Sequence, residues 1–203
     1  MIDLTKDDAG LWTVAINRPD KANSLTKAML EELTEIALAA QDARALVITG
    51  VGKVFSAGAD LDEARAGLAT DGVWERLSGT IADLPCLTIA ALNGTLAGGA
   101  MGMALACDMR IAVPHAKFFY PVMKLGFLPQ PSDPKRMSAL IGPARTKLVL
   151  MGGQKITAQE AYDFGLVDRI VEADALLPTA RDLAEHVLSA DPALAAQIKA
   201  LCS

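Results

Sequence analysis

The chain predicts an α/β fold, and three observations carry that prediction. Short, fully apolar runs such as Leu46-Val47-Ile48-Thr49 and Leu87-Thr88-Ile89-Ala90-Ala91-Leu92 read as strands. The segment before the first of them repeats apolar residues at helical spacing. Each run is followed by a turn of small residues and then by further helical sequence. Strands alternating with helices imply β-α-β crossovers, and those define the class.

Each element has its own signal. Leu11-Trp12-Thr13-Val14-Ala15-Ile16 is rich in β-branched and aromatic residues and is ended by Arg18-Pro19. Residues from about Thr26 to Ala40 predict a helix, because Met29, Leu33, Ile36 and Ala40 fall on one face. Leu46 to Thr49 and Leu87 to Leu92 are the two apolar strands, and a helix opens at Gly98-Gly99. Met109-Arg110-Ile111-Ala112-Val113 is another strand, stopped by Pro114. Thr157-Ala158-Gln159-Glu160 matches a capping box, with Gly165 closing its helix. Asp191-Pro192 begins a final Ala-rich helix. There is no repeat, low-complexity stretch or linker, so residues 1–203 read as one domain.

Composition excludes several function classes. Hydrophobic residues make up 52% of the 203 and mean hydropathy is +0.30, yet no apolar run reaches the ~18 residues of a membrane span. The surplus points to subunit contact instead. A net charge of −5 with interspersed signs argues against nucleic-acid binding. The acidic start, Met1 to Asp8, lacks an apolar signal region, so the expected location is cytoplasmic. Cys86, Cys107 and Cys202, with His115 and His186, show no paired spacing; neither a disulfide framework nor a metal site is expected.

Chemistry concentrates in the two turns, Phe55-Ser56-Ala57-Gly58-Ala59-Asp60-Leu61 and Asn93-Gly94-Thr95-Leu96-Ala97-Gly98-Gly99-Ala100. Small residues let a backbone turn sharply and approach a ligand closely. Two such turns can aim two main-chain N–H groups at one oxygen, forming an oxyanion hole. In this order and setting they resemble the crotonase superfamily of enoyl-CoA hydratases and isomerases. Further blocks extend the resemblance: Ile16 to Leu25, Ala104 to Ala112, Ala116-Lys117-Phe118, Lys124 to Pro129, and Gly152 to Val167.

The resemblance implies repeated ββα units in a spiral, assembled as a homotrimer or hexamer. It places the spiral core at about 1–190 and the start of a shortened C-terminal helical part at 191–203. It implies an acyl-CoA thioester as substrate, with coenzyme A as part of it and no separate cofactor. Carried over residue by residue, the oxyanion donors are the N–H groups of Ala59 and Gly99. Ala57, Gly58 and Asp60 would border the CoA moiety, with Lys21 and Ala22 contacting it from the first loop; Lys21 reads equally as a solvated lysine.

The departures are as informative. Hydratases of this family use two glutamates, and the matching positions here are Gly102 and Val122. Some isomerases place a carboxylate after the proline of the Leu-Gly-x-x-Pro run, where this chain has Gln130. Asp133 is the nearest acid and the first candidate for proton transfer, or else a turn or N-cap residue. Tyr120 and Gln130 are candidates for binding or polarising substrate. Asp62 and Glu63 read as a solvated helix start, His115 as a loop residue, and Cys107 as core. Three activities stay open: a hydratase or isomerase with altered acid–base residues, a decarboxylase or thioester hydrolase, and a non-catalytic thioester-binding protein.

Overall fold

The structure, a computed structural model, describes residues 1–202. Strands β1 (Ile2–Lys6), β2 (Leu11–Ile16), β3 (Ala45–Gly50), β5 (Leu87–Leu92), β7 (Met109–Ala112) and β10 (Arg169–Ile170) form one sheet in the order β1-β2-β3-β5-β7-β10. The β1–β2 hairpin is antiparallel, and every later pair in that sheet is parallel. A second sheet runs β4 (Val54–Ser56), β6 (Thr95–Ala97), β8 (Lys117–Phe119), β9 (Ile156–Thr157), with β9 antiparallel at its edge.

The two sheets interleave along the chain. β3, β5 and β7 each lie in the large sheet, and β4, β6 and β8, which follow them, each lie in the small one. Helices return the chain between units: α2 (Leu61–Arg65) and α3 (Val73–Ala82) after β4, α4 (Met101–Ala106) after β6, and α5 (Val122–Leu125) and α6 (Asp133–Leu150) after β8. This is the repeated ββα progression that the resemblance implied. The remaining helices are α1 (Lys27–Ala39), α7 (Ala158–Phe164), α8 (Leu176–Ser189) and α9 (Pro192–Cys202).

The core follows from these patterns. β3 is buried along Ala45 to Thr49, as a parallel strand covered on both faces must be. α1 starts where the Thr26 side chain accepts from the Met29 N–H, and buries Met29, Leu30, Leu33 and Ala37. The capping box at Thr157 and Glu160 forms, and Gly165 ends α7 at φ 89°. Asp191 caps α9 through the N–H groups of Ala193 and Leu194. Cys107 is buried in the core and His115 is exposed. In the first turn of α2 Asp62 is exposed and Glu63 is half-buried, accepting from the Lys27 N–H. Among the described residues no helix is long and apolar enough to cross a membrane, and no cluster of side chains could hold a metal ion.

Candidate active site

The second strand of each unit ends at the same place, so the turns after β4 and β6 lie against each other. Gly58 (φ 92°) and Gly98 (φ 60°) both occupy the left-handed region that glycine adopts without strain. A Cβ on Gly58 would stand 2.9 Å from the Ala97 carbonyl oxygen and 3.3 Å from the Gly98 Cα. No side chain fits between the turns at position 58. At Gly99 a Cβ would press to 3.1 Å on the Trp74 indole.

Backbone pairing orients the donors. Leu25 and Ala59 form a parallel bridge in which the Leu25 N–H donates to Gly58 O and the Asp60 N–H donates to Leu25 O, both at 2.8 Å. That pattern turns the N–H of Ala59 itself away from Leu25. Gly99 lies in the short 3-10 turn Gly98–Ala100 that leads into α4, where first-turn N–H groups lack intrahelical partners. Both residues line a cavity of about 480 Å³, a size suited to a small-molecule site. Its walls are largely apolar, from Trp74, Phe119, Tyr120, Val122, Leu125 and Leu128, and Arg65 is the one charged residue among the described lining.

The first loop supports this turn from behind. Ala22 (φ 51°) accepts from the Ala57 N–H at 3.0 Å. Asn23 (φ 53°) is fully buried; its side chain donates to Val51 O and Val54 O and accepts from the Arg18 N–H. The Ser56 hydroxyl donates to Asn23 O and accepts from the Gly58 N–H. Asn93 repeats the device from the second turn, accepting from the Gly50 N–H and donating to Gly52 O.

The site residues expected from sequence separate into groups. Ala57, Ala59 and Gly99 line the cavity, and Gly58 packs between the turns. Ala22 touches the site only through its bond to Ala57. Lys21 is exposed in the turn Pro19–Lys21 and is not part of the lining. The Asp60 carboxylate is already engaged: it pairs with Arg18 at 2.8 Å and caps α2 through the Asp62 N–H. The Arg18 guanidinium holds that carboxyl below its ordinary range. Gln130 is buried behind the wall, its amide donating to Ala69 O at 3.3 Å.

Asp133 opens α6 and points inward, away from solvent. Its Oδ2 accepts from the Tyr120 hydroxyl at 3.0 Å, and its Oδ1 is buried without a partner among the described residues. Burial raises its carboxyl to about 7, above the ordinary aspartate range. Burial also drives the Tyr120 hydroxyl upward, helped by the neighbouring Asp133 charge. Val122 carries no acid into the cavity, and Gly102, three residues along from Gly99, faces Asp133. The N-cap alternative for Asp133 does not hold, because Ser132 is the cap residue and the Asp133 side chain is spent on Tyr120.

Trp74, Phe127 and Leu128 were not among the sequence-predicted residues. Trp74 is fixed by its indole N–H donating to Leu68 O at 2.8 Å. An aromatic in a helical stripe reads as core, and only the absence of a Cβ at Gly99 shows which face it covers.

Comparison with known proteins agrees with this geometry. Residues 6–203 match the family model described as enoyl-CoA hydratase/isomerase. A Bacillus subtilis protein named as an enoyl-CoA hydratase/isomerase, YngF, is 36% identical over 196 residues, covering 92% of this chain and 75% of that one. A carnitinyl-CoA dehydratase of Citrobacter koseri is 36% identical over 195 residues, covering 92% and 74%. The crystal structure of an enoyl-CoA hydratase from Bacillus anthracis superposes with a TM-score of 0.89 at 34% identity, over 98% of this chain and 80% of that one. Fold and sequence together place the chain in the enoyl-CoA hydratase/isomerase family.

Proposed function

We propose that this protein is an enzyme acting on acyl-CoA thioesters, holding the thioester oxygen on the N–H groups of Ala59 and Gly99. The observation that carries the reading is the pair of turns packed glycine to glycine at one end of an apolar cavity. A thioester carbonyl bound there gains negative charge when its α-carbon loses a proton. Each positioned backbone donor is typically worth ~3 kcal/mol in the transition state. The positive end of α4 adds to the stabilisation at Gly99. Ala57, Gly58 and Asp60 border the CoA arm, with Lys21 and Ala22 on the adjoining loop. Coenzyme A enters as part of the substrate and no other cofactor is invoked. Assembly into trimers or hexamers is part of the same reading.

Gly102 and Val122 favour a second reading within the family. Addition of water needs a positioned base for the water and a positioned acid for carbon. Neither position supplies one, whereas decarboxylation or thioester hydrolysis draws mainly on the oxyanion donors. A panel of enoyl-, β-ketoacyl- and malonyl-type CoA thioesters assayed for turnover separates these reactions.

The site itself is tested by calorimetry with crotonyl-CoA. Wild type should bind it, and Gly99→Pro, which removes one donor, should lose most of that affinity while keeping its circular dichroism spectrum. Equal affinity in the folded variant would remove Gly99 from the site.

A further inference from the structure

We propose that Tyr120 and Asp133 form a single proton-transfer couple on the cavity wall, with Gly102 clearing the space for the carboxylate. The site then moves one proton to and from an acyl thioester instead of adding water. This rests on the acyl-CoA reading above and names the groups that would do its acid–base work.

Three observations converge. Asp133 is 0% exposed, and its Oδ1 has no hydrogen-bond partner among the described residues. Buried polar atoms are rarely left so without a functional or structural reason. A Cβ at position 102 would stand 2.8 Å from Oδ1 and 3.3 Å from Oδ2. A side chain on α4 at that point would therefore require the Asp133 carboxylate to shift from the place where it meets Tyr120. Tyr120 joins this carboxylate to the cavity: the tyrosine lines the cavity and its hydroxyl donates to Oδ2.

The surroundings suit reversible transfer. Glu75 on α3 opposes charge on Asp133, Arg136 on α6 favours it, and Gly102 on α4 brings no charge. Burial outweighs these, so the carboxyl titrates near neutrality, where a group can both take and return a proton. Glu75 is itself held by the Ser132 hydroxyl and N–H at the start of α6, which fixes the helix that carries Asp133.

The step balances without a co-reactant. As the α-C–H bond breaks, its electron pair passes into the thioester to give an enolate whose oxygen rests on Ala59 and Gly99. The proton goes to the Tyr120 oxygen while the Tyr120 proton goes to Asp133 Oδ2. Reversal at the α-carbon restores the thioester; delivery to the γ-carbon of an enoyl thioester shifts the double bond. Tyr120 is the catalytic residue here, and Asp133 is the positioning residue that acts through it.

The experiment follows α-deuterium incorporation into butanoyl-CoA in D₂O by mass spectrometry, with butanoyl-CoA affinity measured alongside. Wild type should exchange, at a rate that rises with pH through neutrality as Asp133 ionises. Asp133→Asn and Tyr120→Phe should exchange ~10²–10⁴-fold more slowly with affinity nearly unchanged, and Asp133→Asn should lose the neutral inflection. Gly102→Ala keeps both side chains and should also slow exchange. Binding without exchange in wild type overturns this proposal alone, as does a wild-type rate in Asp133→Asn and Tyr120→Phe. A wild-type rate in Gly102→Ala overturns the role given to the glycine. Failure of wild type to bind butanoyl-CoA overturns the acyl-CoA reading together with this one.

Discussion

Asp133 shows how one residue can set a pH dependence. Its folded carboxyl titrates at about 7, against an ordinary aspartate value of 3.8. The folded protein therefore holds a proton between those values that the unfolded chain has released. Stability from this group is complete below about 4, declines as pH rises toward 7, and levels off above it. The slope for one such proton is about 1.4 kcal/mol per pH unit. The carboxyls held low by partners, Asp7 beside Arg181, Asp60 beside Arg18, Asp71 beside Lys27 and Glu160 in its capping box, act oppositely and only in the acid limb. Urea denaturation at pH 5 and pH 8 isolates Asp133: wild type should lose stability relative to Asp133→Asn as pH rises. A constant difference between the two proteins would show that the carboxyl titrates normally. The sequence offered Asp133 either as the nearest acid or as a turn or cap residue of an Asp-Pro pair; its burial against Tyr120 and Gly102 depends on distant segments and was not legible.

At the scale of elements, the turns that make the site are held by buried amides more than by their glycines. Asn23 ties the first loop to β4 and to the turn before it with two hydrogen bonds and closes the loop on itself with a third, at a backbone conformation that few side chains adopt. Asn23→Ala would remove the side-chain partners of Val51 O and the Arg18 N–H, Val54 O keeping its bond from Asn93, and should cost about 1–3 kcal/mol, read as a lower urea midpoint. A change below ~0.5 kcal/mol would mean that water replaces the amide. α4 is secured at its other end, where buried Arg110 donates to the carbonyls of Ala104, Cys107 and Asp108. Legibility divides along the same line. Local signals such as Thr26, the Thr157–Glu160 box, Gly165 and Asp191 place helix ends closely, because their partners lie within four residues. Strands β2, β3, β5 and β7 of the large sheet are equally legible from their apolar runs, whereas β1 and the two-residue β10 carry no such run. Asn23, Asn93 and Arg110 read as ordinary polar residues, because their partners come from distant segments. The two glycine turns were legible because two short motifs each carry their backbone geometry locally. The cavity wall was not, since it gathers α3, β8 and the loop before α6.

At the scale of the whole molecule, the apolar surplus of the sequence appears as surface. Leu194, Ile198 and Leu201 are each more than half exposed along α9, at the four- and three-residue spacing of one helical stripe. Met123, Leu125 and Leu128 are likewise exposed beside the cavity mouth. α9 is nonetheless firmly placed. The Lys199 ammonium donates to Cys86 O and pairs with Asp108, each at 2.8 Å, so the stripe is presented on a fixed helix. Ordered apolar surface of this kind marks an interaction face, and closed symmetric assembly is its commonest fate in soluble proteins. Sedimentation equilibrium at micromolar concentration should find a mass of three or six chains. Leu194→Asp with Ile198→Asp should shift the population toward monomer while leaving the circular dichroism spectrum unchanged, since both side chains point away from the core. A monomer in wild type would overturn the assembly, and a full-size assembly in the double variant would move the contact from α9 to the exposed residues at the cavity mouth.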